Sequence, residues 1–155
     1  LGLLKIDKTG LRNELIKINK CTILNDCYKS NPVSINAALE IFGLIRSQKK
    51  IVVLGDMLGY REMSHDMHYK VGKDLASHNI DELVTIGQEA KYMAIGAREN
   101  TSIKSIAEFD TKEEATEYLK KYLSIDCSIL IKGSRFLKLE YIANKLKDLE
   151  EGNEN

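Results

Sequence analysis

The chain lacks an excess of charge of either sign. Its 155 residues include 23 basic and 23 acidic side chains, so the formal net charge is +0. The two signs are also interleaved along the chain, and we therefore expect no nucleic-acid binding and no attraction to an anionic membrane. No apolar run approaches the roughly 20 residues needed to cross a bilayer, so no membrane insertion is expected either.

Cysteine and proline are scarce, with three and one residues respectively. The cysteines form no CxxC motif and no Cys/His pairing at metal-binding spacing. Cys21 and Cys127 lie inside apolar runs, where a free cysteine behaves as a small hydrophobe, so we expect a reducing, cytoplasmic compartment. The sequence starts without methionine and without a signal peptide, which predicts a fragment or a processed chain.

The glycine-rich loops that hold nucleotide phosphates are also missing. No two glycines stand at G-x-G spacing, and no G-x-x-x-x-G-K-[ST] motif occurs. Gly72-Lys73 lies in a predicted helix with the wrong neighbours. If the protein handles a nucleotide, most of the phosphate chemistry must therefore be done elsewhere.

The apolar residues that are present change period along the chain. Continuous or alternating runs predict strands at 14–18, 21–25, 50–55, 82–87, 105–109 and 127–133. Helical spacing follows Pro32, Ser64, Ala90, Thr111 and Leu139. This alternation predicts an α/β fold, Rossmann-like, with a mostly parallel, doubly wound sheet and helices on both faces.

Polar residues that follow the strands are the candidate site, because such sheets bind ligands at the carboxyl ends of their strands. Asp26 follows one strand, and its carboxylate could accept both hydroxyls of a ribose. Asp56 follows another, and two interpretations stay open: a turn aspartate, or a carboxylate that faces a ligand. In "IKGSR", Lys132, Ser134 and Arg135 could hold a carboxylate or phosphate, or form a solvated loop.

Three further patterns have ordinary structural interpretations. Asn31-Pro32 is a good helix start, with asparagine as the N-cap. His65 and His68 share a helix face, but no third metal ligand is placed, so two polar surface residues are the favoured interpretation. Tyr118 and Tyr122 fit packing on an amphipathic helix.

Five segments together resemble the Mur ligase family, in the same order and over about residues 9–146. They are "NDCYKSNPVSINAAL", "KIVVLGDM", "MSHDMHYKVG", "VTIGQEA" and "ILIKGSRFLKLE". The resemblance is to the C-terminal third of the family, a Rossmann-like domain that closes over ATP. The chain departs from the usual family pattern at Lys29-Ser30 and at Phe136.

The resemblance implies a domain of an ATP-dependent amide ligase in peptidoglycan precursor synthesis. The incoming amine would be D-alanyl-D-alanine and the acceptor a UDP-N-acetylmuramoyl-tripeptide, activated as an acyl phosphate. Residues 1–20 would then be the end of a central ATP-binding domain and a boundary strand, 21–149 the C-terminal domain, and 150–155 a frayed tail. ATP phosphates and Mg²⁺ would be held mainly by the central domain, and the isolated chain would be inactive.

The resemblance also assigns roles to nine residues, which divide into one catalytic residue, a nucleotide side and an amino-substrate side. They are Arg12 near the ATP phosphates; Asp26, Tyr28 and Asn31 at the nucleotide; and Asp56, Gly87, Lys132, Ser134 and Arg135 at the D-alanyl-D-alanine end. Two alternatives stay open: a Mur-type ligase for another amino substrate, or a stand-alone Rossmann-like binding module.

Overall fold

A computed structural model describes residues 13–100 and 102–153. The strands are β1 (Glu14–Ile18), β2 (Cys21–Asp26), β3 (Lys49–Gly55), β4 (Glu82–Ile86), β5 (Ser105–Phe109) and β6 (Cys127–Lys132). The helices are α1 (Pro32–Phe42), α2 (Ser64–Asp74), α3 (Lys91–Arg98), α4 (Lys112–Leu119) and α5 (Glu140–Asn153). Short 3-10 turns at Arg61–Met63, Leu75–Ser77, Lys120–Tyr122 and Arg135–Leu137 were not predicted.

The six strands form one sheet in the order β1-β2-β6-β3-β4-β5. Only the β1–β2 pair is antiparallel among the pairs of this sheet; the other neighbours run parallel. The predicted Rossmann-like, mostly parallel sheet is therefore confirmed, and β5 lies at one edge of it. In the register, Asp26 of β2 and Leu54 of β3 both lie opposite Lys132 of β6, so these three strands end level with one another.

Helices cover both faces of the sheet and bury two separate apolar clusters. On one face α1, α2 and α3 pack through side chains that include Leu39, Phe42, Val71 and Met93. On the other face α4 and α5 pack through Leu119, Ile142 and Leu146, among others. Each such buried side chain contributes about 1.5–3 kcal/mol, so this layering is the main source of stability.

Local sequence explains how the first helix begins. The Asn31 side chain accepts a hydrogen bond from the Ser34 backbone N–H at 2.7 Å, and the Ser34 hydroxyl accepts one from the Asn31 N–H at 2.9 Å. This reciprocal cap satisfies backbone donors that the first helical turn leaves unpaired, and Pro32 needs no donor at N1. The predicted helix start is confirmed.

Gly72 has a packing role rather than a phosphate-binding one. A Cβ atom at Gly72 would lie 2.0 Å from the Met93 carbonyl oxygen, and one at Gly96 would lie 2.1 Å from the Tyr69 carbonyl oxygen. Helices α2 and α3 therefore touch backbone to backbone, which only glycine allows.

None of the helices within 13–100 and 102–153 has the length and the apolar content that a bilayer crossing requires.

Two predictions need correction. His68, expected on the helix surface, is fully buried: its Nε2 accepts from the Met57 backbone N–H at 2.8 Å, and its Nδ1 lies 2.7 Å from the Ser64 carbonyl oxygen. The expectation of a surface residue was wrong because an imidazole whose two nitrogens are both hydrogen-bonded is stable in a core. The tail expected to fray from residue 150 is helical up to Asn153, because α5 continues there.

Candidate functional site

The candidate site lies at the carboxyl ends of β2, β6, β3 and β4. After β3 the chain passes through α2 to β4, whereas after β6 it enters α5, which packs on β1, β2 and β6. The connections from the adjacent strands β6 and β3 therefore leave in opposite directions. This is a topological switch point, where open α/β sheets bind their ligands.

The loops that follow β2 and β6 are joined to each other. The Arg135 backbone N–H donates to the Tyr28 carbonyl oxygen at 3.1 Å. The Arg135 guanidinium lies 5.9 Å from the centroid of the Tyr28 ring, within the range of a cation–π contact. The structure thus brings together two residues that the sequence separates widely and that the resemblance assigns to different substrates.

Lys132 and Asp26 form a buried ion pair at the ends of β6 and β2. The Lys132 Nζ lies 2.9 Å from Asp26 Oδ2 and 2.7 Å from the Lys29 carbonyl oxygen. Lys132 is only 1% exposed, whereas the Asp26 side chain is 13% exposed. The ammonium predicted to meet the amino substrate is therefore already occupied by protein oxygens, while Asp26 stays accessible at the edge.

Two serine hydroxyls at this edge are buried without a hydrogen-bond partner in the described part of the chain. They are Ser30 Oγ in the loop after β2 and Ser134 Oγ in the loop after β6. An unpaired buried hydroxyl is uncommon and is a feature of binding sites, because a ligand can supply the partner. Asn31 lies beside Ser30, but its side-chain oxygen is already used in the cap of α1.

Asp56 and Gly87 are brought together one strand further along. Asp56 Oδ1 accepts from the Ala90 backbone N–H at 2.7 Å, close to the start of α3. Burial raises the pKa of the Asp56 carboxyl above its ordinary value, and the hydrogen bond from Ala90 opposes that shift. Gly87 has φ +112, and a Cβ there would lie 2.4 Å from Asp56 Oδ1, so the glycine leaves room for this carboxylate.

Asp56 and Gly87 line a cavity of about 350 Å³. Its other lining residues are Ile86, Gln88, Asp110, Lys112, Glu113, Leu137 and Leu139. Lys132, Ser134 and Arg135 do not line it. The side chains of Leu137 and Leu139 lie over Gly55 and Gly133, at the ends of β3 and β6, and so stand between the two halves of the site.

The predicted residues therefore form two neighbouring groups. One comprises Asp26, Tyr28, Asn31, Lys132, Ser134 and Arg135, and the other Asp56 and Gly87. Arg12 lies outside the described residues. Lys112 was not predicted at the site, but it lines the cavity, and its Nζ donates to the Leu137 carbonyl oxygen at 3.4 Å. Its position just after the edge strand β5 was the available signal.

The described residues do not fit a metal site. They contain no group of three or more His, Cys, Asp or Glu side chains that could hold a metal ion. His65 instead stacks on Tyr92, with ring centroids 3.8 Å apart, and its Nε2 lies 3.3 Å from Glu89 Oε2. The prediction that Mg²⁺ belongs to a preceding domain is not tested by these residues.

Comparison with known proteins adds to this geometry. The UDP-N-acetylmuramoyl-tripeptide–D-alanyl-D-alanine ligase of Bacillus subtilis is 33% identical over 147 residues, which cover 94% of this chain and 32% of that protein. The structure of MurF from Acinetobacter baumannii matches with a TM-score of 0.79 and 28% identity, over 88% of this chain and 30% of that one. This chain thus spans about a third of the length of the relatives it matches.

A more distant structure agrees in fold. The MurF ligase from Thermotoga maritima, solved in complex with ADP, matches with a TM-score of 0.74 at 19% identity, over 96% of this chain and 33% of that one. The sequence profile of the family described as Mur ligase, glutamate ligase domain, matches residues 11–135. Because that match spans most of the chain and the sheet has the same architecture as these structures, the chain belongs to the Mur ligase family.

Proposed function

We propose that this chain is the C-terminal domain of an ATP-dependent ligase that adds D-alanyl-D-alanine to a UDP-N-acetylmuramoyl-tripeptide in the cytoplasm. The observation that carries this proposal is the junction of the loops after β2 and β6, where Arg135 bonds to Tyr28 beside Asp26. That junction lies at the switch point of the sheet, in a chain similar over 94% of its length to a ligase of this name. The upstream domains would supply the acceptor site and the phosphate-binding loop.

The nucleotide side of the proposed site is the loop after β2. ATP, when bound, supplies the phosphoryl group that activates the tripeptide carboxylate as an acyl phosphate. Asp26 would accept hydrogen bonds from the ribose hydroxyls, and the half-exposed Tyr28 ring would line the nucleotide. Asn31 would contribute indirectly, because its capping of α1 fixes where this loop ends. Arg12 stays a predicted cation for the phosphate oxygens.

The amino-substrate side would be the loop after β6 together with the cavity at Asp56 and Gly87. The Arg135 guanidinium is exposed and matches the planar geometry of a terminal carboxylate. The Ser134 hydroxyl lacks a partner among the described residues and would donate to the same group. Holding the dipeptide at that end would direct its amine towards the acyl phosphate, and such positioning lowers the barrier to attack.

The proposal is tested with the full-length protein, ATP, Mg²⁺, the UDP-linked tripeptide and a panel of amino substrates. We expect phosphate release to depend on D-alanyl-D-alanine and the product to carry a pentapeptide. Dependence on a single amino acid instead would identify a different Mur-type ligase. The 155-residue chain alone is expected to show no turnover, and measurable turnover by it would contradict the assignment of the phosphate chemistry to other domains.

A further inference from the structure

Lys132 is among the largest side chains that the structure buries completely. An ammonium removed from water is stable only when its charge and its N–H donors find partners. Lys132 finds a carboxylate, Asp26 Oδ2 at 2.9 Å, and a carbonyl, that of Lys29 at 2.7 Å. The charge is therefore neutralised inside the protein, and two of the three N–H donors of the ammonium are paired with protein oxygens.

The two partners of Lys132 lie at opposite ends of one turn. Asp26 is the last residue of β2, and Lys29 follows shortly before the cap of α1. The Lys29 carbonyl also accepts from the Ser34 hydroxyl at 3.3 Å, which attaches the turn to the first turn of α1. A single ammonium on β6 thus fixes both the carboxylate of Asp26 and the path of the turn beside it.

The backbone gives this turn a second, independent link to the segment after β6. The Arg135 N–H donates to the Tyr28 carbonyl oxygen, and this bond needs no side chain. Removing the Lys132 ammonium would therefore leave the turn attached while the Asp26 carboxylate loses its counter-charge. The effect of such a change should therefore fall on the Asp26 carboxylate and on the 26–29 turn, without detaching the loop from the segment after β6.

We propose that Lys132 is a positioning residue for the nucleotide, acting through Asp26 and the 26–29 turn, and that it does not contact the amino substrate. This inference rests on the proposed function, since it takes the loop after β2 as the nucleotide side. The 13% exposure of the Asp26 side chain lets its carboxylate accept from a ligand hydroxyl while Lys132 holds it from behind. This positioning role replaces the expectation that the Lys132 ammonium contacts D-alanyl-D-alanine.

The test is a double-mutant cycle in the full-length ligase, with Lys132→Met, Asp26→Asn and the double variant. KM is measured separately for ATP and for D-alanyl-D-alanine. We expect Lys132→Met to raise KM for ATP by about 10-fold or more, the size of one charge-assisted hydrogen bond, and to leave KM for the dipeptide within about twofold. The double variant should be no worse than Asp26→Asn, because coupled residues are not additive.

Lys20→Met is the matched control, because the Lys20 side chain is exposed and lies in the turn between β1 and β2, away from the 26–29 turn. It should leave both KM values unchanged. If Lys132→Met does not fold, Lys132→Gln keeps N–H donors without the charge and is measured in the same way. A rise in KM for the dipeptide alone, or additive effects in the cycle, would overturn the proposal.

Hydrogen exchange of the amides of residues 27–31 separates this inference from the proposed function. If the unmutated protein shows no ligation, the ligase assignment is refuted and with it the nucleotide role of Lys132. Faster amide exchange in Lys132→Met would then show only that Lys132 stabilises the turn. Normal ligation with unchanged exchange and unchanged KM for ATP in Lys132→Met would refute the positioning role alone.

Discussion

The sheet buries one charged residue at the amino ends of its parallel strands, called here the amino edge, and another at their carboxyl ends, the carboxyl edge. The surroundings of these two residues differ. At the amino edge Glu82, the first residue of β4, is fully buried. Its Oε1 accepts from the Ser105 hydroxyl at 3.2 Å and from the Tyr118 hydroxyl, and its Oε2 lies 3.7 Å from Lys49 Nζ. Every one of these partners sits on a strand or a helix.

At the carboxyl edge the partners of the buried charge belong to a turn. Lys132 holds Asp26 and the Lys29 carbonyl, and the hydroxyls of Ser30 and Ser134 nearby have no partner among the described residues. The two edges therefore differ in the kind of element that holds the buried charge. The amino edge surrounds its charge with strands and a helix, although Glu82 Oε2 accepts no hydrogen bond from the described residues, whereas the carboxyl edge surrounds its charge with a turn that has two unpaired hydroxyls beside it.

The largest effect is expected for a substitution that removes the Glu82 carboxylate from its hydrogen bonds at the amino edge. Glu82→Ala leaves the partly buried Tyr118 and Ser105 hydroxyls without their acceptor inside the protein, so it should lower the free energy of unfolding by about 2–4 kcal/mol in urea denaturation. Glu108→Ala is the control: Glu108 pairs with Arg98 at 2.7 Å on the surface, where such a pair contributes about 1 kcal/mol or less. Equal losses in the two variants would remove the proposed contrast.

The next effect is on function and belongs to the carboxyl edge. Arg135→Ala in the full-length ligase should lower kcat/KM by about 10- to 100-fold, because a charge-assisted contact to the substrate carboxylate is lost. The free energy of unfolding should change by about 0.5 kcal/mol or less, since the guanidinium is exposed.

Arg46→Ala is the matched control for this prediction. Arg46 is also an exposed arginine, in the segment between α1 and β3 at the opposite edge of the sheet. Its removal should leave kcat/KM unchanged. A similar loss of activity in both variants would indicate a general effect of surface charge on the reaction.

The smallest effect is expected from alanine substitutions at two glycines of the carboxyl edge, Gly87 and Gly59. Gly87→Ala has to accommodate both a left-handed φ and a Cβ against the Asp56 carboxylate, whereas Gly59→Ala, at φ +92, meets open space. The strain of φ alone is about 1 kcal/mol, so Gly59→Ala should lose roughly that amount in thermal denaturation. Gly87→Ala should lose more and should also reduce ligation; equal losses would argue against a crowded Asp56.

The sequence predicted the strands and helices well because each has a clear period and, for α1, a clear cap. It did not predict the strand order, because the insertion of β6 between β2 and β3 depends on long-range packing. The same limit applies to Lys132, whose partner Asp26 is distant in sequence and adjacent only through strand pairing. His68 was missed because the helical pattern does not report a hydrogen bond to a neighbouring loop.

The antiparallel direction of β1 decides at which end of the sheet the described chain begins. Glu14, the first residue of β1, lies opposite Asn25, next to the end of β2. The polypeptide therefore enters the sheet at the same edge that holds Asp26 and Arg135. Under the proposed function, the chain that leads into β1 would approach the sheet from the side where the substrates would meet.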